Sequence, residues 1–334
     1  MKVLRIIRSS EWWEYKMPIL LSLAYATALH ANKSLYDIAG WFGFMLLCLI
    51  VGAAYVSIVN DMCDIEDDLA SGKKNRLSKL RHSIRWMLLI AIIILALLCC
   101  FFYLKDPLTI SFYLLSYLAF TLYSVPPIRL KKRGIWGVIA DACGAHLFPS
   151  LFVVAGTAHI LQIEIEWIWI SSIALWAFTY GLRGILWHQF LDRSSDKLIH
   201  LNTFASRINP ISFRKTSVYI LSIELAALVG ILIILGKPWP IVGLFAYLVL
   251  MAAYKRKLGL KLIAIIPTSQ PWHLIMITYY QVFFPIALLF ESSLMFISSL
   301  IILLVHLILF PKCIWNIVND AFLMLKWKKV NEVA

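Results

Sequence analysis

Long apolar stretches alternate with short, mostly basic connectors along nearly the whole chain. A membrane-spanning helix needs about 20 predominantly apolar residues, within a range of about 17–25. On that measure the pattern predicts helices near 17–31, 40–60, 86–104, 107–124, 135–157, 166–191, 216–236, 239–254, 273–290 and 293–311. The first, fourth and eighth are short, so nine or ten spans are expected. The fold class that follows is an all-α polytopic membrane protein. No long polar insert interrupts residues 17–311, which read as a single transmembrane domain. Residues 1–16, with Trp12, Trp13 and Tyr15 among basic residues, read as an interfacial segment. Residues 312–334, where Trp315, Phe322, Leu325 and Trp327 alternate with charges, read as an amphipathic cytoplasmic tail.

Composition strengthens this reading. Of the 334 residues, 61% are hydrophobic and only 15% charged, whereas soluble domains carry about 25% charged residues. The six cysteines show no paired spacing, so neither a disulfide framework nor a zinc site is expected. The N-terminus lacks the apolar stretch and small residues of a cleavable signal peptide.

A net charge of +13 raises the question of nucleic acid, and its distribution answers it. With ten spans, 27 of the 31 basic residues fall on one side. Only Lys33, Lys105 and Lys237 fall on the other, and Arg183 lies within a span. This is the positive-inside bias of membrane proteins, so no nucleic-acid partner is needed. Both acidic stretches described next then face the cytoplasm.

Acidic residues at a membrane boundary are costly unless something cationic is held there. The first stretch, Asn60-Asp61-Met62-Cys63-Asp64-Ile65-Glu66-Asp67-Asp68, follows an apolar run directly. On a helix Asp61, Asp64 and Asp68 share one face, and Asn60 adds a neutral oxygen one turn before Asp64. The second, Asp192-Arg193-Ser194-Ser195-Asp196, places Asp192 and Asp196 on one face in the same way. Magnesium takes oxygen ligands and is typically held by one or two carboxylates plus substrate phosphates. Two such helix ends fit Mg²⁺ ions bridging a diphosphate. Between them, Pro126 and Pro127 end a helix, and Arg129, Lys131 and Lys132 follow within reach of a diphosphate.

Three motifs in this order resemble the UbiA superfamily of intramembrane prenyltransferases. They are Asn-Asp-x-x-Asp-x-x-x-Asp at 60–68, Tyr-Ser-x-Pro-Pro-x-Arg-Leu-Lys at 123–131 and Asp-x-x-x-Asp at 192–196. The resemblance implies helices arranged around a central cavity and Mg²⁺-dependent ionisation of a polyprenyl diphosphate. It implies Asn60, Asp61, Asp64 and Asp68 at a first metal site, and Asp192 and Asp196 at a second. Arg129, Lys131 and Lys132 become diphosphate-binding candidates, and Tyr123 a catalytic candidate at the cavity mouth. Ser194 and Ser195 stand where many relatives carry further acids, which would weaken the second metal site.

Ionisable groups inside spans are functional candidates by default. His188 lies one turn before Asp192 and is a candidate for orienting a carboxylate or acting as a base. Arg183 can contact diphosphate or pair with Asp141; His146 lies in the same span as Asp141. Tyr180, Trp187, Phe190, Tyr279 and Tyr280 are aromatic candidates for lining an allylic-cation cavity. The expected activity is prenyl transfer from a prenyl diphosphate to a lipophilic acceptor, aromatic acceptors included, with membrane lipid as surroundings. The same ionisation without an acceptor would make a terpene cyclase. A cation-coupled transporter fits less well, because coupling sites lie near the bilayer midplane and these acids lie at one edge.

Overall fold

The apolar stretches fold as helices because backbone groups in lipid must be satisfied within the segment. The computed structural model describes residues 5–331, and side chains as far as Met324. Lys2 and the side chains of Leu325 and Trp327 therefore lie outside the described residues.

The first unit comprises residues 1–10, 41–231 and 264–267. It holds α2 (Ala39–Cys63), which begins two residues ahead of it, and then α3 (Ile65–Ala70), α4 (His82–Phe101) and α5 (Pro107–Ser124). After these come α6 (Ile135–Ala142), a π-turn over Cys143–Leu147, α7 (Phe148–Ile160) and α8 (Trp167–Leu191). The short α9 (Arg193–Leu198) and α10 (Phe204–Arg207) lead into α11 (Pro210–Leu235). Trp41 ties α2 to α7: its indole N–H donates to Thr157 Oγ1 at 3.1 Å, and its ring fills the space beside Gly156. Gly181 lets α8 approach α6 closely, since a Cβ there would lie 2.9 Å from the Ala142 carbonyl oxygen.

The second unit comprises residues 11–40, 232–263 and 268–334. It is built on α1 (Ser9–His30), which begins two residues ahead of it, α12 (Pro238–Lys257), α13 (Phe284–Met295), α14 (Ser299–Leu309) and α15 (Pro311–Asn331). Tyr279 donates to the Pro240 carbonyl at 2.9 Å and Tyr25 meets His306 at 3.3 Å, closing α12 and α14 onto their neighbours. Two short parallel strands, β1 (Lys261–Ile263) and β2 (Trp272–Leu274), also belong here. The loop between them sends residues 264–267 back into the first unit. There Ile265 is fully buried in a cluster with Val138, Ile185, Leu186, Phe190, Ala205 and Phe213.

Each of the ten expected spans is helical over most of its length. Six helices among the described residues are long and apolar enough to cross a membrane by length and composition, or seven if the bent pair 299–309 and 311–324 is one span. The count of nine or ten is thus not confirmed. Three shortfalls have visible causes. α13 and α14 are only 12 and 11 residues long; the stretch predicted to start at 273 opens instead with β2, and its helix begins at Tyr279; α8 carries Arg183, His188 and Gln189. Large apolar side chains such as Met87, Leu97 and Phe101 stand exposed along α4. An exposed apolar surface of that extent marks contact with lipid or protein.

Candidate active site

Three segments of the first unit converge. The first is the end of α2. Asp64 leaves the helical region (φ −107°, ψ 4°), and α3 restarts one residue later. Helical hydrogen bonds still cross the break, from Asp64 N–H to Asn60 O at 3.0 Å and from Asp68 N–H to Asp64 O at 2.8 Å. Asn60, Asp64 and Asp68 therefore stay one turn apart. Asn60 Oδ1 accepts from Ser124 Oγ at 3.3 Å.

The second segment follows α5. The Pro126–Pro127 bond is cis, and Arg129 takes a left-handed backbone (φ 39°) ahead of a 3-10 turn at Leu130–Lys132. Gly137, in the first turn of α6, is pressed against this turn: a Cβ there would lie 2.7 Å from the Leu130 carbonyl oxygen and 2.8 Å from Lys131 Cα. Gly137→Ala is expected to shift the cationic turn and weaken diphosphate binding by about a hundredfold. Binding of inorganic diphosphate, beside an unchanged helical circular dichroism signal, checks this.

The third segment is the end of α8, where Asp192 N–H bonds to His188 O and Asp196 N–H to Asp192 O, both at 2.9 Å.

Ion pairs stitch the three together. Arg129 Nη2 donates to Asp64 Oδ1 at 2.8 Å and to Asp67 Oδ2 at 2.9 Å. Lys131 Nζ also donates to Asp64 Oδ1, and Lys132 Nζ lies 3.0 Å from Asp67 Oδ2. Lys73, in the loop after α3, reaches across to Asp192 Oδ2 at 2.8 Å. Asn75 Nδ2 donates to Asp68 Oδ2 at 2.9 Å and to the Asp61 carbonyl at 2.8 Å. Thr203 Oγ1 donates to Asp196 Oδ2 at 3.0 Å, and its strand-like bridge to Gly134 joins the second acidic stretch to the cationic turn.

These neighbours set the charges. Burial pushes the Asp67 carboxyl up, but the Lys132 hydrogen bond and the fields of Arg129, Lys132 and Lys131 outweigh it and hold the group below the usual range. Burial pulls the Lys131 ammonium down, and Asp64 recovers only part of that. Lys73 runs the other way: burial lowers it, yet its bond to Asp192 and the nearby Asp196 and Asp68 raise it overall.

Asp196 is the strained member, since burial raises its carboxyl despite the Thr203 hydrogen bond and the Lys73 charge. A raised folded-state value means that ionised Asp196 costs folding stability at neutral pH. Asp196→Asn is therefore expected to raise the thermal midpoint of the ligand-free protein at pH 7. The gain should fade as pH falls toward about 3.9, where the carboxyl is protonated folded or unfolded. Melting curves across pH check the sign.

The other predicted residues are placed as follows. Tyr123 stacks edge-on against Phe120 (6.3 Å between centroids), and its phenol lies within electrostatic reach of Asp141, Asp64 and Asp196. His188 is exposed on α8, its ring 4.4 Å from that of Trp187. Arg183 is fully buried and holds Glu224 of α11 in a two-pronged pair, Nε to Oε2 at 2.6 Å and Nη2 to Oε1 at 2.8 Å. Its Nη1 donates to the Ala264 carbonyl at 3.3 Å. Tyr180 lies flat on Trp176, with Arg183 5.7 Å from its ring centre. Phe190 packs on Phe213. Tyr279 and Tyr280 are buried in the second unit.

Sequence reasoning passed over Asp67, Lys73, Asn75 and Glu224. Glu224 carried a usable signal, a lone acid inside the apolar stretch 216–236. Lys73 and Asn75 did not, because nothing in a basic loop marks which member folds back.

Oxygen-rich, sulfur-free donors of this kind suit Mg²⁺. Asp61 is fully buried and its Oδ2 has no hydrogen-bond partner, so one carboxylate oxygen remains available to a cation. Among the described residues, no three His, Cys, Asp or Glu side chains form a metal cage by themselves. That agrees with an ion that needs only one or two carboxylates and completes its shell with substrate phosphates.

Comparison with known proteins gives the following. Residues 17–262 match the model of the UbiA prenyltransferase family. Three solved structures from Archaeoglobus fulgidus share the fold. A UbiA homolog bound to DMAPP and Mg²⁺ is 16% identical with a TM-score of 0.57, over 88% of this chain and 99% of that one. A UbiA homolog bound to GPP and Mg²⁺ is 15% identical with a TM-score of 0.55, over 91% and 99%. A UbiA homolog bound to Cd²⁺ is 14% identical with a TM-score of 0.54, over 88% and 99%. No curated protein matches the sequence.

Proposed function

Because the chain belongs to the UbiA prenyltransferase family, we propose that it is an intramembrane prenyltransferase that ionises a prenyl diphosphate and passes the prenyl group to a lipophilic acceptor. The observation that carries this is the convergence of two acidic stretches and a cationic turn within hydrogen-bonding distance, at Asp64, Arg129 and Lys131 and at Lys73 and Asp192. Diphosphates with Mg²⁺ bound to structural relatives support the same ligand here.

The first acidic stretch, with Asn60, Asp61, Asp64 and Asp68, would supply one or two carboxylates to one Mg²⁺ ion, and Asp192 and Asp196 would hold another. The ions supply positive charge to the diphosphate leaving group. The chain's own part is binding and orientation. Arg129, Lys131, Lys132 and Lys73 are already assembled around the acids and donate to diphosphate oxygens as it enters. Heterolysis of the prenyl C–O bond then sends the electron pair to the diphosphate and leaves an allylic cation. Attack by the acceptor forms the new bond, and its displaced proton goes to a nearby base. His188 is the candidate base, and Tyr123 a candidate residue at the cavity mouth. Their positions differ, Tyr123 near the acids and His188 exposed beside Trp187, which favours Tyr123 for contact with the substrate. Arg183, committed to Glu224, supports the helix rather than the diphosphate. The bias of basic residues to one side supports a cytoplasmic position for both acidic stretches. Residues 1–16 and 312–334 flank the transmembrane domain at the membrane surface.

The test is to incubate purified protein in Mg²⁺ with labelled DMAPP, GPP and longer prenyl diphosphates, with and without candidate acceptors. Acceptor-dependent diphosphate release supports transfer. A hydrocarbon or alcohol formed without acceptor makes the protein a cyclase. Cation-dependent uptake into proteoliposomes without diphosphate release overturns both.

A further inference from the structure

The fully buried Asp61 needs a counter-charge, since an ionised carboxylate out of water is costly unless it is paired. It finds one 53 positions earlier in the chain. Arg8 Nη2 donates to Asp61 Oδ1, while Asp61 Oδ2 stays buried and without a hydrogen-bond partner. The segment carrying Arg8 is tethered to α2, because Ser57 Oγ donates to the Ile7 carbonyl at 2.9 Å. Arg8 itself takes a left-handed backbone, φ 54°. For a long side chain this is an uncommon and less stable conformation, so the segment is held open to change. The Arg8 side chain is a quarter exposed and that of Asp61 not at all, so Arg8 stands on the solvent side of this acid. Arg76 adds to the positive field on the same carboxylate, and Asp68 to the negative.

We propose that Arg8 is a substrate-responsive counter-ion: it neutralises Asp61 in the ligand-free protein and moves to the diphosphate when metal and substrate bind. This rests on the diphosphate reading above and adds a residue to it. A guanidinium fork matches carboxylate and phosphate oxygens alike, so the exchange keeps Arg8 bonded at both ends of the move. It also releases both oxygens of Asp61 to the metal. No covalent bond changes.

The two ligands should therefore respond to Arg8 with opposite signs. Arg8→Gln removes a competitor for Asp61 and a donor to diphosphate together. In full-length protein in detergent, Mn²⁺ alone, followed by its paramagnetic resonance signal, should bind several-fold tighter. Inorganic diphosphate with saturating Mn²⁺ should bind about tenfold more weakly, the loss of one charge-assisted hydrogen bond. Arg8→Lys keeps the charge without the fork, so Mn²⁺ affinity should stay near wild type while diphosphate still weakens. In an Asp61→Asn background, Arg8→Gln should no longer change binding of Mn²⁺ alone. If Arg8→Gln weakens both ligands or neither, the proposal is overturned while the diphosphate reading stands. If the wild-type protein binds neither Mn²⁺ nor diphosphate, both fall together.

Discussion

Asp64→Ala is expected to lose Mg²⁺-dependent diphosphate release by about a thousandfold or more. Like Asp67, Asp64 is bonded to two cations on the turn after α5, and of the two it alone is a candidate metal ligand. Its Oδ1 takes N–H donors from both Arg129 and Lys131, and Lys131 is itself buried. Removing the carboxylate deletes a proposed metal ligand and leaves two cations without their anchor. Unfolding is the obvious alternative cause of lost activity, so Asp64→Asn is the informative companion. It keeps the shape and one oxygen acceptor for the cationic turn, and should fold while still failing to release diphosphate. Asp192→Ala should lose activity as well. Its effect on folding should be small, because the Lys73–Asp192 pair is largely exposed and exposed pairs contribute about 0–1 kcal/mol. Labelled diphosphate release, read beside melting temperature, separates the two causes. Retained turnover in both Asp64→Asn and Asp192→Ala would sink the proposed chemistry.

The second large effect concerns stability. Arg183→Met leaves the buried Glu224 without the guanidinium that holds both of its oxygens. Breaking a buried pair from one side costs about 3–5 kcal/mol, whereas replacing both partners by apolar residues of similar volume is often neutral. The single variant should therefore melt much lower than wild type, and Arg183→Met with Glu224→Leu should recover most of the loss. The double variant should also keep diphosphate affinity, since the pair's bonds run between α8, α11 and the Ala264 carbonyl. A double variant as unstable as the single one would show that the pair does more than neutralise itself.

The helices and the diphosphate motif were legible in the sequence for a simple reason. Apolar runs and residues one turn apart are local patterns, and Asn60, Asp64 and Asp68 keep their spacing even across the break at Asp64. The partners were not legible, because partner choice depends on tertiary approach. Arg183 was expected to pair with Asp141 in the neighbouring span. The fold sets it on Glu224, 41 positions onward, which α11 brings alongside. Arg8 and Lys73 looked like two more members of a basic surface, and only the fold sets them on Asp61 and Asp192. The break between β2 and Tyr279 was equally hidden, in a stretch whose apolar content reads as one helix.

The short return of residues 264–267 has a consequence for biogenesis. Arg183 is synthesised well before its partner, and an Arg at the centre of a membrane-inserted helix costs about 2.5–3.5 kcal/mol on insertion scales. Glu224 arrives with α11, and the Ala264 carbonyl and Ile265 arrive only after α12 has been synthesised. A ribosome that stalls before residue 264 thus leaves the first unit with an open seam beside α8, the helix that carries Asp192. Chaperones or proteases that survey nascent membrane proteins would meet that seam, and completion of a single loop would be the event that hides it.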